Sequence, residues 1–528
     1  MSDRLVIKNG FIVDGSGKAG FFGDVEIAGD TINRISKASI ASDKVVDAAG
    51  MTVSPGFVDI HSHSDYHILL NAYAESKVRQ GVTSEVNGNC GYSIAPVGGI
   101  ILKEREQQYY ESYKLDLNIK TLMDYIQRVE KQGSSINNAM LVGQGTIRGS
   151  VMGRKTSSPT DKELDSMRAL VKESMEAGAF GMSTGLAYTP GAYADTKEVI
   201  ELAKVAADYK GIYATHMRSE GRTLVESVEE ALEIGRRAGL PVEISHLKTM
   251  NPENWHKIDK VFELIETAQK DGIDVAADRY PYLSAYTGLA SVMPDWVYAD
   301  STEAALARLE DKAVRSRIYG ELSAQHNDLN DYFSRIMISQ CFTDEYRKFE
   351  GKTIPEISSA LGMQPLDTIY HILVKEKLMT TAIYFAMDDG NLKRILAKPY
   401  VSIGSDAGLR ADYGPLHEGK PHPRSYGTYP RVFSDFVKTN ILSLEQAVYK
   451  MTSLPAQRAG IQQRGMIKEG WFADIVIFSP ERMEDRATYL QPHRYPSGID
   501  TVMVNGVTVV QKGVHTKALP GKMLRKAV

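Results

Sequence analysis

Residues 160–183 read Thr160-Asp161-Lys162-Glu163-Leu164-Asp165-Ser166-Met167-Arg168-Ala169-Leu170-Val171-Lys172-Glu173-Ser174-Met175-Glu176-Ala177-Gly178-Ala179-Phe180-Gly181-Met182-Ser183, and this stretch decides the fold. Thr160 followed three residues later by Glu163 is a capping box, the signature of a helix start. Leu164, Met167, Leu170, Val171 and Met175 share one face at the helical period, and Gly178 supplies the stop. Phe180-Gly181-Met182-Ser183 follows at once as a short strand. The unit then repeats. A helix around Val199–Ala207 leads to Ile212-Tyr213-Ala214-Thr215-His216. One around Leu224–Ala238 leads to Val242-Glu243-Ile244-Ser245-His246, and one around Trp255–Lys270 leads to Ile273-Asp274-Val275-Ala276-Ala277-Asp278.

Working outward in both directions, strand ends fall near 61, 90, 143, 183, 216, 246, 279 and 404. Eight strand–helix units describe an α/β (β/α)8 barrel of the TIM type, whose active site lies at the C-terminal ends of its strands. Roughly 120 residues separate the last two strand ends, far beyond a usual connection. An inserted subdomain is expected there, at about 283–350. Both chain ends read as short strands with turns, such as Leu5-Val6-Ile7 and Asp24-Val25-Glu26-Ile27 early, and Ala473-Asp474-Ile475-Val476-Ile477-Phe478 late. Residues 1–55 and 470–528 are therefore expected to build one small β-sandwich domain, leaving 56–469 for the barrel.

The composition of the 528 residues, 43% hydrophobic and 24% charged, is that of an ordinary globular protein. Lys and Arg number 62 against 66 Asp and Glu, a net charge of −4, which gives no electrostatic case for nucleic acid or an anionic membrane surface. The two cysteines, Cys90 and Cys341, cannot form a disulfide framework and fit a reducing compartment. The opening residues Met1-Ser2-Asp3-Arg4-Leu5 lack a secretory pattern, and no apolar stretch approaches the ~20 residues of a membrane span. A cytoplasmic protein is expected.

Six metal-type residues sit at the strand ends: His61 and His63 on the first, Cys90 after the second, His216 on the fifth, His246 on the sixth and Asp406 on the eighth. On a strand, i and i+2 face the same side, so His61-Ser62-His63 aims two imidazoles at one point. Any one of these residues has an ordinary structural explanation. Gathered at one rim of one barrel, they suit a divalent metal such as zinc.

These segments resemble the amidohydrolase superfamily and, more narrowly, its N-acyl-D-amino-acid deacylases (D-aminoacylases). The resemblance rests on Pro55-Gly56-Phe57-Val58-Asp59-Ile60-His61-Ser62-His63-Ser64-Asp65, Asn89-Cys90-Gly91, Ser183-Thr184-Gly185-Leu186-Ala187-Tyr188, Thr215-His216-Met217-Arg218, Ser245-His246-Leu247-Lys248, Tyr280-Pro281-Tyr282, Gly404-Ser405-Asp406 and His422-Pro423-Arg424-Ser425-Tyr426-Gly427-Thr428-Tyr429. It covers essentially the whole chain. The His-x-His is shared by many hydrolases, whereas the Cys90 and His-Pro-Arg segments are more particular. Many binuclear relatives carry a carboxylated lysine on strand four; Phe180–Tyr188 has no lysine. The resemblance implies that Cys90 replaces it. Gln144 is a departure, since the resemblance implies histidine there.

What the resemblance implies is a zinc-dependent hydrolase that cleaves N-acyl-D-amino acids to a carboxylate and a free D-amino acid. Cys90, His216 and His246 would hold a tight zinc; His61, His63 and Asp406 would face a second, weaker position, with Cys90 able to bridge. Asp406 would carry the proton as general base and then acid, the alternative being ligation alone. Arg424 would clamp the substrate carboxylate, with Lys248 and Tyr282 as further candidates and Tyr280 able to replace Tyr282. A cyclic-amide hydrolase resembling dihydropyrimidinases would want the missing lysine. A non-catalytic scaffold should have lost ligands. Gly351-Lys352-Thr353 lacks the earlier glycine of a phosphate loop, where Tyr346 stands. Asp388 is expected to cap a helix at Asn391–Ala397, and Cys341 to be a buried apolar residue.

Overall fold

The computed structural model describes residues 4–526. The helix read from Thr160 is present as Asp161–Glu176, with the Thr160 hydroxyl accepting from the Glu163 amide and the Glu163 carboxylate accepting from the Thr160 amide. It buries Met167, Val171 and Met175. The strand that follows is the fourth of eight parallel barrel strands: β1 (Phe57–Asp59), β2 (Val82–Asn87), β3 (Asn137–Met140, resumed at Val142–Gly143), β4 (Gly181–Gly185), β5 (Ile212–His216), β6 (Val242–Ile244), β7 (Val275–Arg279) and β8 (Val401–Ile403).

The register brings the C-terminal ends level: Gly185 lies opposite His216, Ile244 opposite Ala277 and Arg279 opposite Ile403. β8 returns to β1 through the Asp406 amide on the His61 carbonyl (2.7 Å) and the His63 amide on the Ala407 carbonyl (3.2 Å), which closes the ring. The barrel strands are buried along their lengths, as parallel strands covered on both faces must be. Helices Thr196–Asp208, Leu224–Ala238 and Ile258–Lys270 cover the outside, sinking Val199, Leu202, Val228, Ile234, Val261 and Ile265 into the main apolar core.

Both chain ends meet in one nine-stranded sheet, joined where Thr52–Pro55 pairs with Ile475–Phe478. The expected sandwich is thus, in its hydrogen bonding, a single continuous sheet. Alternation along Ile475–Phe478 serves two cores: Ile475 and Ile477 face a small cluster with Ile7, Ile12 and Val25, while Val476 and Phe478 face the barrel core.

Between β7 and β8, strands Ser284–Gly288, Ile336–Gln340 and Thr381–Phe385 form an antiparallel sheet with its own apolar cluster, including Leu289, Ile338, Ile357 and Ile369. The insertion therefore runs to Phe385, beyond the expected limit near 350. Its last strand lies between the other two, so the sheet cannot be completed earlier. Thr353 caps the helix Ile354–Leu361 with Glu356, which accounts for the Gly-Lys-Thr sequence, and Asp388 caps Asp389–Ala397. Cys341 is buried. No helix among the described residues is long and apolar enough to cross a membrane.

Candidate metal centre

The loops after the barrel strands and the inserted segment enclose a cavity of about 920 Å³. His63, Cys90, His216, His246 and Asp406 line it, and His61 lies beneath them, fully buried. Their donor atoms fall into two overlapping groups, His61, His63, Cys90 and Asp406 in one and Cys90, His216 and His246 in the other, each within 4.8 Å. Cys90 belongs to both. Its Sγ lies 3.3 Å from His61 Nε2 and 3.5 Å from His246 Nε2. All six residues read from the sequence as metal-type are brought together.

The backbone that presents them is strained. Cys90, His246 and Asp406 adopt φ of 52°, 39° and 51°, a region that non-glycine residues seldom occupy and that concentrates at functional sites. The Cys90 turn is held by the Asn89 side chain, which donates to the carbonyls of Ile60 (3.3 Å) and Val86 (2.9 Å). From β4, Ser183 Oγ accepts from the Gly91 amide (3.0 Å). Gly185 leaves room for the turn: a Cβ there would stand 2.0 Å from the Cys90 carbonyl oxygen. The strand without a lysine thus supports the cysteine.

Carboxylates fix the far side of two rings. Asp278 takes His61 Nδ1 at 3.1 Å, and Glu220 takes His246 Nδ1 at 2.9 Å. This leaves both Nε2 atoms turned toward the thiol, the arrangement by which protein metal sites orient imidazole ligands. His216 Nδ1 is buried without a partner. Burial opposes charge on each of these groups, but the Asp406 and Cys90 charges push His63 up to about 9. His246 is likewise pushed up to about 9, against burial and Lys248, by Glu220, Asp406 and Cys90. Cys90 and Asp406 lie well below their ordinary ranges despite burial, Cys90 because of His61 and His246, Asp406 because of Arg424, His246 and His61. A thiolate and a carboxylate amid oriented imidazoles form a field that a divalent cation satisfies, so the residues fit zinc.

Beneath the site, Lys77 is fully buried and donates to Asp59 Oδ2 (2.6 Å), Ser62 Oγ (3.0 Å), Ser405 Oγ (2.8 Å) and the Ala407 carbonyl (2.8 Å). It ties the segment carrying His61 and His63 to the one carrying Asp406. The sequence reading missed Lys77, Asp59, Asp278 and Glu220 in these roles. Asp59 and Asp278, charged residues inside apolar strands, carried the only signal.

Arg424 lines the cavity, its Nη1 2.7 Å from Asp406 Oδ2. Lys248 lines it too, with Nζ 2.5 Å from Glu220 Oε1 and 2.7 Å from His246 Nδ1. Tyr282 is a correction: its hydroxyl donates to Asp485 (2.8 Å) and it does not line the cavity. The Tyr282 amide donates to the Tyr280 carbonyl at 3.0 Å, a tight turn about Pro281 that ends the strand alternation and swings Tyr282 away. Tyr280 lines the cavity instead, its buried hydroxyl unpartnered. Its ring lies 4.6 Å from the Arg424 guanidinium and 4.0 Å from that of Arg279. Burial raises the Tyr280 phenol, but Lys248, Arg279 and Arg424 outweigh it and the net shift is downward. Gln144 donates to Glu198 (3.0 Å) and lies outside the cavity lining.

A profile of the Amidohydrolase family matches residues 44–510. The chain is 34% identical to a D-aminoacylase of Alcaligenes xylosoxydans xylosoxydans, over 99% of this chain and 97% of that one. It is 33% identical to an N-acyl-D-glutamate deacylase of the same organism, over 99% and 96%. The crystal structure of N-acyl-D-glutamate deacylase from Bordetella bronchiseptica, complexed with zinc and a phosphonate inhibitor that mimics the tetrahedral intermediate, superposes with a TM-score of 0.83 at 31% identity, over 99% of both chains. The chain belongs to the amidohydrolase family and, within it, to the D-aminoacylases.

Proposed function

We propose that the protein is a zinc-dependent deacylase that hydrolyses the amide bond of N-acyl-D-amino acids, releasing a carboxylate and a free D-amino acid. The observation that carries this is Cys90, whose sulfur is shared by two histidine groups at the floor of one cavity, with Asp406 held beside it by Arg424. Cys90, His216 and His246 would hold the tight zinc, and His61, His63 and Asp406, with Cys90 common to both groups, would offer a second, weaker position. When bound, zinc supplies Lewis acidity, which polarises an amide carbonyl and acidifies water.

The chain's own groups do the rest. Arg424 holds Asp406 Oδ2 and, with the neighbouring histidines, keeps the carboxylate ionised; Oδ1, which also meets His63 Nε2 at 3.1 Å, is the oxygen assigned to take the proton from the attacking water. Asp406 then delivers that proton to the leaving amine. The unpartnered Tyr280 hydroxyl, the remaining N–H groups of Arg424 and the Lys248 ammonium receive the substrate carboxylate. A carboxylate clamp on one side of the metal, with the side chain confined by the cavity wall, would select one hand at Cα; that this hand is D rests on the likeness to the D-aminoacylases. The two cysteines, one reserved as a thiolate ligand, favour a reducing compartment, the cytoplasm.

The test is release of free amino acid from paired N-acetyl-D- and N-acetyl-L-methionine, -leucine and -phenylalanine, with chelator-stripped and zinc-reloaded protein. D-only release that returns with zinc is expected. Release from the L series, or none in protein shown to contain zinc, overturns the reading.

A further inference from the structure

Six cations line the cavity, and five are accounted for. Arg424 bonds Asp406, Lys248 bonds Glu220, and Arg154 bonds Glu104 at 3.0 Å. Arg105 donates to the Ser93 carbonyl (2.8 Å) and Thr146 Oγ1 (3.0 Å). Lys377 stands exposed at the rim. Arg410 differs from all of these. It is only 9% exposed, yet its guanidinium has no hydrogen bond and no ion pair among the described residues.

Its nitrogens are not among the fully enclosed, unpartnered ones, so the small exposed part of this mostly buried side chain opens on the cavity, and a guanidinium with no protein acceptor there is available to a ligand anion. Burial penalises its charge, and the ionisable groups that act on it most strongly are the phenols of Tyr286, Tyr66, Tyr113 and Tyr426. The nearest carboxylate in sequence, Asp412, accepts instead from the Tyr495 hydroxyl at 3.1 Å. The backbone at Arg410 is fixed: its amide donates to Ser76 Oγ (2.8 Å), and the Leu409 amide donates to Ser64 Oγ (3.1 Å). Tyr286, which lines the cavity, is a common neighbour of Arg410 and Arg424, whose guanidinium lies 5.9 Å from its ring.

We propose that Arg410 is a second anion-binding subsite of this cavity, which takes a carboxylate that the substrate carries in addition to its α-carboxylate. The preferred substrates are then dianions. The extra carboxylate belongs either to an acidic D-side chain or to a dicarboxylic acyl group. The inference rests on the deacylase reading and goes beyond it by naming the substrate class and the residue that selects it. Arg410 is a planar fork, held on a stitched segment, largely buried and open to the cavity, a setting that favours bidentate carboxylate recognition.

The test compares kcat/KM of zinc-loaded wild type and Arg410→Met on two matched pairs: N-acetyl-D-glutamate against N-acetyl-D-glutamine, and N-succinyl-D-leucine against its neutral succinamoyl counterpart. Wild type is expected to favour the acidic member of one pair by about 10-fold or more, and Arg410→Met to cut that ratio about 10- to 100-fold. The glutamate pair responds if the subsite reads the side chain, the succinyl pair if it reads the acyl group. Equal rates within both pairs in wild type overturn the proposal, as does an equal loss on acidic and neutral members in the variant. Inhibition of wild type by free D-glutamate, D-glutamine, succinate and succinamate needs no variant; inhibition no stronger by either acid than by its amide also overturns it. No release from any of the four substrates overturns the deacylase reading itself, a separate outcome from release without acid preference.

Discussion

Lys77→Met is the most searching perturbation of this architecture, because Lys77 touches neither cavity nor substrate. The change removes four hydrogen bonds and leaves Asp59, and Glu85 at 3.7 Å, fully buried without their cation. An uncompensated buried charge of this kind costs about 3–5 kcal/mol. Asp59 keeps donors from the Ser405 amide (2.8 Å), Ser405 Oγ (2.5 Å) and the His61 amide (3.3 Å), which places the expected loss at the lower end, about 3 kcal/mol. The Asp59→Asn, Lys77→Met double variant removes one of the two buried carboxylates that lose the cation, Glu85 at 3.7 Å being the other, and should recover part of that loss, so the two changes are non-additive by about 1–3 kcal/mol. The same bonds hold the segments that carry His61, His63 and Asp406, so zinc affinity should fall about 10- to 100-fold. Urea unfolding of chelator-treated and zinc-loaded protein gives the stability, and competition with a chromogenic chelator gives the affinity. A stability loss under about 1 kcal/mol, or strict additivity with Asp59→Asn, refutes the account of Lys77 as the buried tie between β1 and β8.

Asp406→Asn should retain zinc on metal analysis while kcat falls about 10²- to 10⁴-fold, the usual range for a lost proton carrier; near-full turnover assigns the proton to another group. Tyr280→Phe should raise KM for substrates with a free carboxylate about tenfold, whereas Tyr282→Phe should leave KM in place and destabilise by about 1–3 kcal/mol, because buried Asp485 loses a donor; the opposite pattern reverses the assignment of the two tyrosines. Lys450 is buried, which pushes its ammonium down to about 8. Its folded-state value lies below its unfolded one, so the unfolded chain binds the extra proton between pH 8 and about 10.5 and stability rises across that window. The rise attributable to Lys450 is at most roughly 3 kcal/mol, and Lys450→Met should flatten the pH profile there; an unchanged profile counts against it.

The barrel was legible because its signals are local. The capping box at Thr160, the helical stripe through Met175 and the stop at Gly178 act over a few residues, and the unit repeats. The i, i+2 spacing marked His61 and His63 as a pair, although β1 itself ends at Asp59 and both lie just beyond it, and the habit of barrels to gather strand ends at one rim brought Cys90, His216, His246 and Asp406 to them. The sequence could not separate Tyr280 from Tyr282, because the turn at Pro281, not a period-2 alternation, sets which of them points to the cavity. The inserted sheet was cut short near 350 because its closing strand, Thr381–Phe385, is recognisable only from its two partners in space.

By itself, then, the chain's sequence determined the repeating architecture and the ligand types, since helix caps, periodicity and donor chemistry belong to short segments. Only the tertiary structure decided which nitrogen of each ring faces the thiol, that Lys77 joins two strands more than 300 positions apart (to Ser405, a separation of 328), and that Arg410 lies buried without an acceptor. Those facts depend on desolvation and on partners distant along the chain. Neither quantity exists until the barrel has closed.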